Sequence, residues 1–163
     1  MTVFGIRKDY KGTILYDNRD IQSFSVDEWV EIRQRKISTV FQDLQLFHKL
    51  TVAENLHLKN HLTDFKTEQE IKAMLAELEI EHKWDDPCGL LSMGQQQRVA
   101  IVRSLCQPFH WLILDEPFSH LDEQNSLKCL SMIDKECSRQ KAGFVLTSLD
   151  DDSRFPYDYE LKL

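Results

Sequence analysis

The run Trp111-Leu112-Ile113-Leu114 is apolar at every position and stops abruptly at two carboxylates, Asp115 and Glu116, followed by Pro117. A short apolar run without alternation reads as a strand buried on both faces, and such strands belong to parallel sheets covered by helices. Two further β-type runs fit the same sheet: residues 37–41 (ISTVF), which end at the polar Gln42, and residues 144–147 (FVLT). Helical segments separate the three runs, so the chain reads as an α/β fold. In such sheets, functional groups gather where strands end.

The helices carry their own start signals. Ser25 with Glu28, Thr51 with Glu54, Thr67 with Glu70 and Ser92 with Gln95 each form an S/T-x-x-E/Q capping box. Ile71, Met74, Leu75 and Leu78 recur at helical spacing, as do Val99, Val102 and Cys106 before Pro108 ends that helix. Residues 122–140 predict a long amphipathic helix with Leu127, Leu130, Ile133 and Cys137 inward and Gly143 at its left-handed end. Asp17-Asn18 predicts a hairpin turn within residues 12–21, and the alternation of residues 157–163 predicts an edge strand. The resulting organisation is an α/β core of residues 1–41 and 106–163, into which a helical subdomain of residues 42–105 is inserted.

Composition narrows the function. A 163-residue chain with 42% hydrophobic residues suits one globular domain, and a net charge of −7 argues against a nucleic-acid or polybasic membrane binder. Cys88, Cys106, Cys129 and Cys137 form no C-x-x-C pair, and the start of the chain does not read as a signal peptide, so reduced thiols in a cytosolic protein are expected. No apolar run approaches the roughly 18–20 residues needed to cross a bilayer.

Two motifs carry chemistry. In Leu91-Ser92-Met93-Gly94-Gln95, a serine and a glycine at a helix start offer a hydroxyl, unpaired N–H groups and the positive end of the helix dipole, which suits a phosphate. Taken alone it is equally an ordinary capped helix. Asp115-Glu116 at a buried strand end can divide the work, one carboxylate holding Mg²⁺ and the next activating water. Alone, it is equally a strand running into an acidic turn.

Taken in order, these motifs resemble the nucleotide-binding domain of ATP-binding-cassette (ABC) transporters. The Q-loop resembles Val40-Phe41-Gln42-Asp43, followed by Leu46-Phe47 and Leu50-Thr51-Val52-Ala53-Glu54-Asn55. The signature resembles Leu91 through Gln95, the Walker B strand residues 111–116, and the D-loop Ser119-His120-Leu121-Asp122. The resemblance implies a P-loop NTPase-like parallel sheet with its N-terminal part missing, and the cofactors ATP and Mg²⁺. By it, Gln42 touches Mg²⁺ and the attacking water, Asp115 binds Mg²⁺, and Glu116 polarises the water. Ser92, Gly94 and Gln95 meet nucleotide held by a second nucleotide-binding subunit, with Asp122 at the dimer interface. It also implies a transmembrane permease partner seated near Gln42, no nucleic acid, and a cytoplasmic location, peripheral on the inner membrane face. Within the family the stretch after Gln42 is most similar to the lipoprotein-release, macrolide-efflux and cell-division group.

The sequence departs from that pattern in two places. None of its five glycines stands in a G-x-x-x-x-G-K-[ST] loop, and Leu149 aligns where the family has its switch histidine. Met93 replaces the first signature glycine, a position that varies in the family. The isolated chain is therefore expected neither to bind ATP tightly nor to hydrolyse it, and to expose apolar sheet surface. The alternative is a non-hydrolysing partner that lends Ser92 and Gly94 to an intact subunit's site. A chromosome-maintenance or mismatch-repair type ATPase is disfavoured, because about 50 residues between Gln42 and the signature are too few for an arm. His57 with His61, Asp150 to Asp152 and the three tryptophans read as surface or packing residues.

Overall fold

A computed structural model describes Gly5, residues 10–148 and residues 157–161. The short strands β1 (Leu15–Tyr16) and β2 (Arg19–Asp20) pair antiparallel, and Asp17 and Asn18 take the positive φ values of 50° and 61° that a tight hairpin turn needs. Then come α1 (Val26–Arg35), β3 (Ile37–Val40), α2 (Val52–Asn60), α3 (Glu68–Glu77), α4 (Met93–Ser104), β4 (Trp111–Asp115), α5 (Glu123–Gln140) and β5 (Gly143–Thr147). All four capping boxes form, with side chain and backbone reciprocally bonded.

The three main strands form a parallel sheet in the order β3-β4-β5, Val40 opposite Leu114 and Asp115 opposite Thr147. Leu112 and Leu114 are fully buried and share one hydrophobic core with Val52, Leu56, Ile71, Leu75, Val99, Ile101 and Ile133. The sheet and the helices of residues 42–105 are thus packed around continuous apolar contacts.

Several expectations change. β4 is buried on one face only: Trp111 is 48% exposed, and on β5 Val145, opposite Ile113, is 47% exposed, so the second face of the sheet is half open. Leu127 is 44% exposed because the buried stripe of α5 runs through Ser126, Cys129, Leu130, Ile133 and Cys137, leaving Leu127 on its flank. The left-handed residue ending α5 is Lys141, at φ 55°. Gly143 instead opens β5, where a Cβ would stand 2.7 Å from the Trp111 ring. Residues 157–161 are not in a strand, and residues 162–163 of the expected edge strand lie outside the described residues. Leu149 and Asp150 to Asp152 lie outside the described residues.

Candidate functional site

Because β3 and β4 are parallel neighbours, their C-terminal ends open on the same edge of the sheet. There Phe41, Gln42, Asp43 and Asp115 line a cleft of about 370 Å³. Asp115 is oriented from the neighbouring strand, its Oδ1 accepting a hydrogen bond of 2.8 Å from the Thr147 hydroxyl. Gln42 is exposed on the turn that leaves β3. The cleft therefore brings together an amide and a carboxylate from segments more than seventy residues apart in sequence.

Glu116 follows directly, with a left-handed φ of 49°. For a non-glycine residue this conformation is sterically costly, and Pro117 behind it restricts the backbone further. Its peptide groups are held from both sides: the N–H donates to Thr147 O at 3.1 Å, and the carbonyl accepts from Gln97 Nε2 at 3.1 Å.

The second group of expected residues lies at the start of α4. Ser92 is exposed; its hydroxyl accepts from the Gln95 N–H at 3.3 Å while Gln95 Oε1 accepts from the Ser92 N–H at 3.0 Å. The Gln95 side chain is thus committed to the cap. An accepting hydroxyl keeps its own proton to donate, so capping leaves Ser92 able to bond an anion. Gly94 faces the turn of residues 119–122, where a Cβ would meet His120 O at 2.8 Å. Asp122 caps α5: its carboxylate accepts from the Asn125 N–H at 2.8 Å and from the Asn125 side chain, which together hold it below the usual carboxylate range. Gln42 and Asp115 share the cleft; Ser92, Gly94, Gln95 and Asp122 form a separate group around the α4 start and the turn packed on it.

Three residues that matter here have no role assigned from the sequence, although Asn55 stands in the stretch quoted after Gln42. Gln97 bridges α4 to the Glu116 turn. Arg103, at the other end of α4, donates to Leu44 O at 2.6 Å and Gln45 O at 2.7 Å, holding two left-handed residues (φ 58° and 52°) just after Gln42. Asn55 is fully buried and knits the turn of residues 47–51. The available signal was a polar residue on a buried stripe: Gln97 shares its helix face with Ile101 and Ser104, both buried. His57 and His61 stack at 5.5 Å, and among the described residues no cluster of three or more His, Cys, Asp or Glu side chains could hold a metal ion.

Residues 1–119 match the family model described as ABC transporter. The chain belongs to the ABC transporter family. It is 33% identical over 127 residues to the macrolide export ATP-binding/permease protein MacB of Campylobacter jejuni, covering 76% of this chain and 20% of that one. It is also 33% identical over 150 residues to the lipoprotein-releasing system ATP-binding protein LolD of Buchnera aphidicola, covering 90% and 65%. The dimeric bacterial ABC transporter cassette MJ0796 superposes with a TM-score of 0.74 at 29% identity, over 88% of this chain and 66% of that one. A second MJ0796 dimer structure, a post-hydrolysis state bound to ADP and Pi, gives 0.73 at 30% identity. The chain thus spans about a fifth of the macrolide export protein and just under two thirds of the lipoprotein-releasing protein and the cassette. Fold and family agree: this ABC chain has a parallel sheet with helices packed on it, as expected of a P-loop NTPase-like α/β fold.

The Gly94 contact yields a direct expectation for an ABC chain. Gly94→Ala forces a methyl against the His120 carbonyl, which is backbone and yields only by moving the turn, at a cost of about 1–3 kcal/mol. Urea midpoints and the His120 amide chemical shift measure the cost and the displacement.

Proposed function

We propose that this chain is the ATP-binding and ATP-hydrolysing subunit of an ABC transporter, energising passage through a membrane-embedded permease. One observation carries the reading: Gln42 and Asp115 converge on a single cleft at the C-terminal ends of adjacent parallel strands, with Thr147 orienting the carboxylate. A carboxylate and an amide oxygen suit Mg²⁺, which takes few protein ligands and keeps its waters. When bound, the ion supplies charge neutralisation to phosphate oxygens. Gln42 would contact ion and water, and Glu116, one residue beyond Asp115, would polarise the water. Ser92 and Gly94, with Gln95 holding the cap and Asp122 beside them, face nucleotide on a second nucleotide-binding subunit; the dimeric cassette neighbours support that partner.

The MacB relative combines ATP-binding and permease parts by name, which supports a permease partner for this chain near Gln42. Among the described residues no helix is long and apolar enough to cross a membrane. The reading puts the subunit in the cytoplasm, on the inner face of the membrane through its permease. The helical segment of residues 42–105 serves as the subdomain that carries the signature.

The residues fit the triphosphate in part only. None of the five glycines stands in a G-x-x-x-x-G-K-[ST] run, and a helix N-terminus supplies roughly half a charge. The exposed Ser92 at the start of α4, whose hydroxyl keeps a proton to donate, supports as a second reading a non-hydrolysing role in which the chain completes an intact subunit's ATP site in trans. The 163-residue chain alone is expected to show background ATPase, and to associate with an intact ABC cassette only when ATP is present. Ser92→Asp separates the two duties of Ser92: aspartate preserves the helix cap but repels phosphate. ATP-dependent association, read by analytical ultracentrifugation, should weaken at least tenfold; equal association of variant and parent would overturn both readings.

A further inference from the structure

Gln97 is 1% exposed, and the polar atoms of its side chain make three hydrogen bonds. Nε2 donates to Glu116 O at 3.1 Å and to Ser119 Oγ at 3.3 Å, while Oε1 accepts from His120 N–H at 3.0 Å. Through these bonds α4, which begins beside Ser92, grips both ends of the turn that follows Asp115. Two features make the grip consequential. Glu116 holds a left-handed φ that its own stereochemistry disfavours, so the conformation persists only where neighbours over-determine it. Moreover, its N–H bond to Thr147 O comes from the strand that also orients Asp115 through Thr147 Oγ1, while its carbonyl accepts besides Gln97 only a long bond of 3.5 Å from Ser119 N–H among the described residues.

We propose that Gln97 is a positioning residue for Glu116: its amide N–H fixes the Glu116 carbonyl, and its amide oxygen fixes the turn at His120, so that the Glu116 carboxylate and residues 119–122 keep one arrangement relative to Ser92. The proposal rests on the reading of Glu116 as the group that activates water, but its geometric part stands on the bonds alone. Gln97 touches neither ion nor nucleotide, and it acts only through Glu116 and the turn.

Amide exchange by NMR on the full 163-residue chain tests it, using two substitutions that divide the bonds. Gln97→Met removes all three, and exchange at Glu116 and His120 should accelerate at least tenfold while Leu130 and Ile133 in α5 stay unchanged. Gln97→Glu keeps an acceptor for His120 but loses the donor to Glu116, so His120 stays protected and Glu116 does not. A role confined to general packing would loosen both together; unchanged exchange at Glu116, or uniform acceleration through α4 and α5, overturns the proposal. The parent chain provides a check that needs no variant: the Gln97 side-chain amide protons should exchange at least tenfold more slowly than those of exposed Gln124, and equal rates would overturn it too. In a mixture with an intact ABC cassette, where this chain lends Ser92, Gln97→Glu should lower kcat about tenfold by shifting residues 119–122 relative to Ser92 and leave KM for ATP within twofold; an equal rise in KM would contradict positioning. If that mixture shows no ATPase dependent on this chain, the functional reading fails while the exchange data still decide the role of Gln97.

Discussion

Glu136→Ala is expected to destabilise the fold by about 3–5 kcal/mol, the usual consequence of stranding one member of a buried ion pair. Glu136 lies on α5 and receives Lys66 Nζ at 3.0 Å, Arg139 Nη2 at 2.7 Å and Gln140 Nε2 at 2.7 Å. The Lys66 side chain is only 4% exposed, so removing the carboxylate leaves a cation with little water to compensate. Lys66 sits between α2 and α3, its backbone clamped by Asn60 on both sides, so the pair fastens the helical segment to the sheet's own helix. Lys66→Met combined with Glu136→Leu, which replaces the pair with apolar volume, should recover most of the loss; urea denaturation of single and double variants gives the coupling directly.

The same residue sets an acid dependence. Burial pushes the Glu136 carboxyl up, but donation from Arg139, Lys66 and Gln140 outweighs it and leaves it below the ordinary carboxylate range. A carboxyl lowered in the folded state contributes stability above its unfolded value, and that contribution fades as pH falls through the lowered value. Melting temperature should therefore drop less steeply on acidification in Glu136→Gln than in the parent.

The second large effect is expected at Asn55, where alanine should cost about 3 kcal/mol, because several part-buried backbone groups lose one fully buried partner at once. Its Oδ1 accepts from Phe47 N–H at 2.9 Å, and its Nδ2 donates to Phe47 O at 3.1 Å and Thr51 O at 2.9 Å, with Leu50 O and Cys88 Sγ also within reach. Cys88 N–H in turn donates to Leu50 O, and Gly89 N–H to His48 O, so the turn after Gln42 and the approach to Ser92 are built on one side chain. Asn55→Asp should be no better, since a carboxylate cannot donate to those carbonyls. A lower urea midpoint with unchanged slope is the signature of lost stability without altered compactness.

What the sequence made legible was local or periodic. Capping boxes, the Asp17-Asn18 turn and the three sheet strands each depend on neighbours within a few residues, and all formed. That Gln42 and Asp115 belong to one site was implied only by the family resemblance; the structure brings both to one cleft at the strand ends. What escaped were properties set by distant partners. The exposure of Trp111 depends on what covers a sheet face, which an apolar run does not encode, and residues 157–161 alternate as a strand would without being one. Gln97, Arg103 and Asn55 bond mainly to backbone groups of other segments, and such bonds leave almost no trace in residue spacing. The family motifs named Ser92 and Gly94 for a ligand; the cap made by Ser92 was legible as well, whereas the close backbone contact at Gly94 was not.

Two attachments along α4, at Gln97 and Arg103, have a mechanical consequence. From Gln97 to Arg103 is about 9 Å at 1.5 Å per residue, so pivoting α4 about Gln97 by roughly 10° would sweep the Arg103 end through about 1.5 Å. That is enough to break hydrogen bonds of 2.6 and 2.7 Å to Leu44 and Gln45. The lever has almost no slack: any tug felt where Ser92 stands must either leave the loop behind Gln42 untouched or unlatch it.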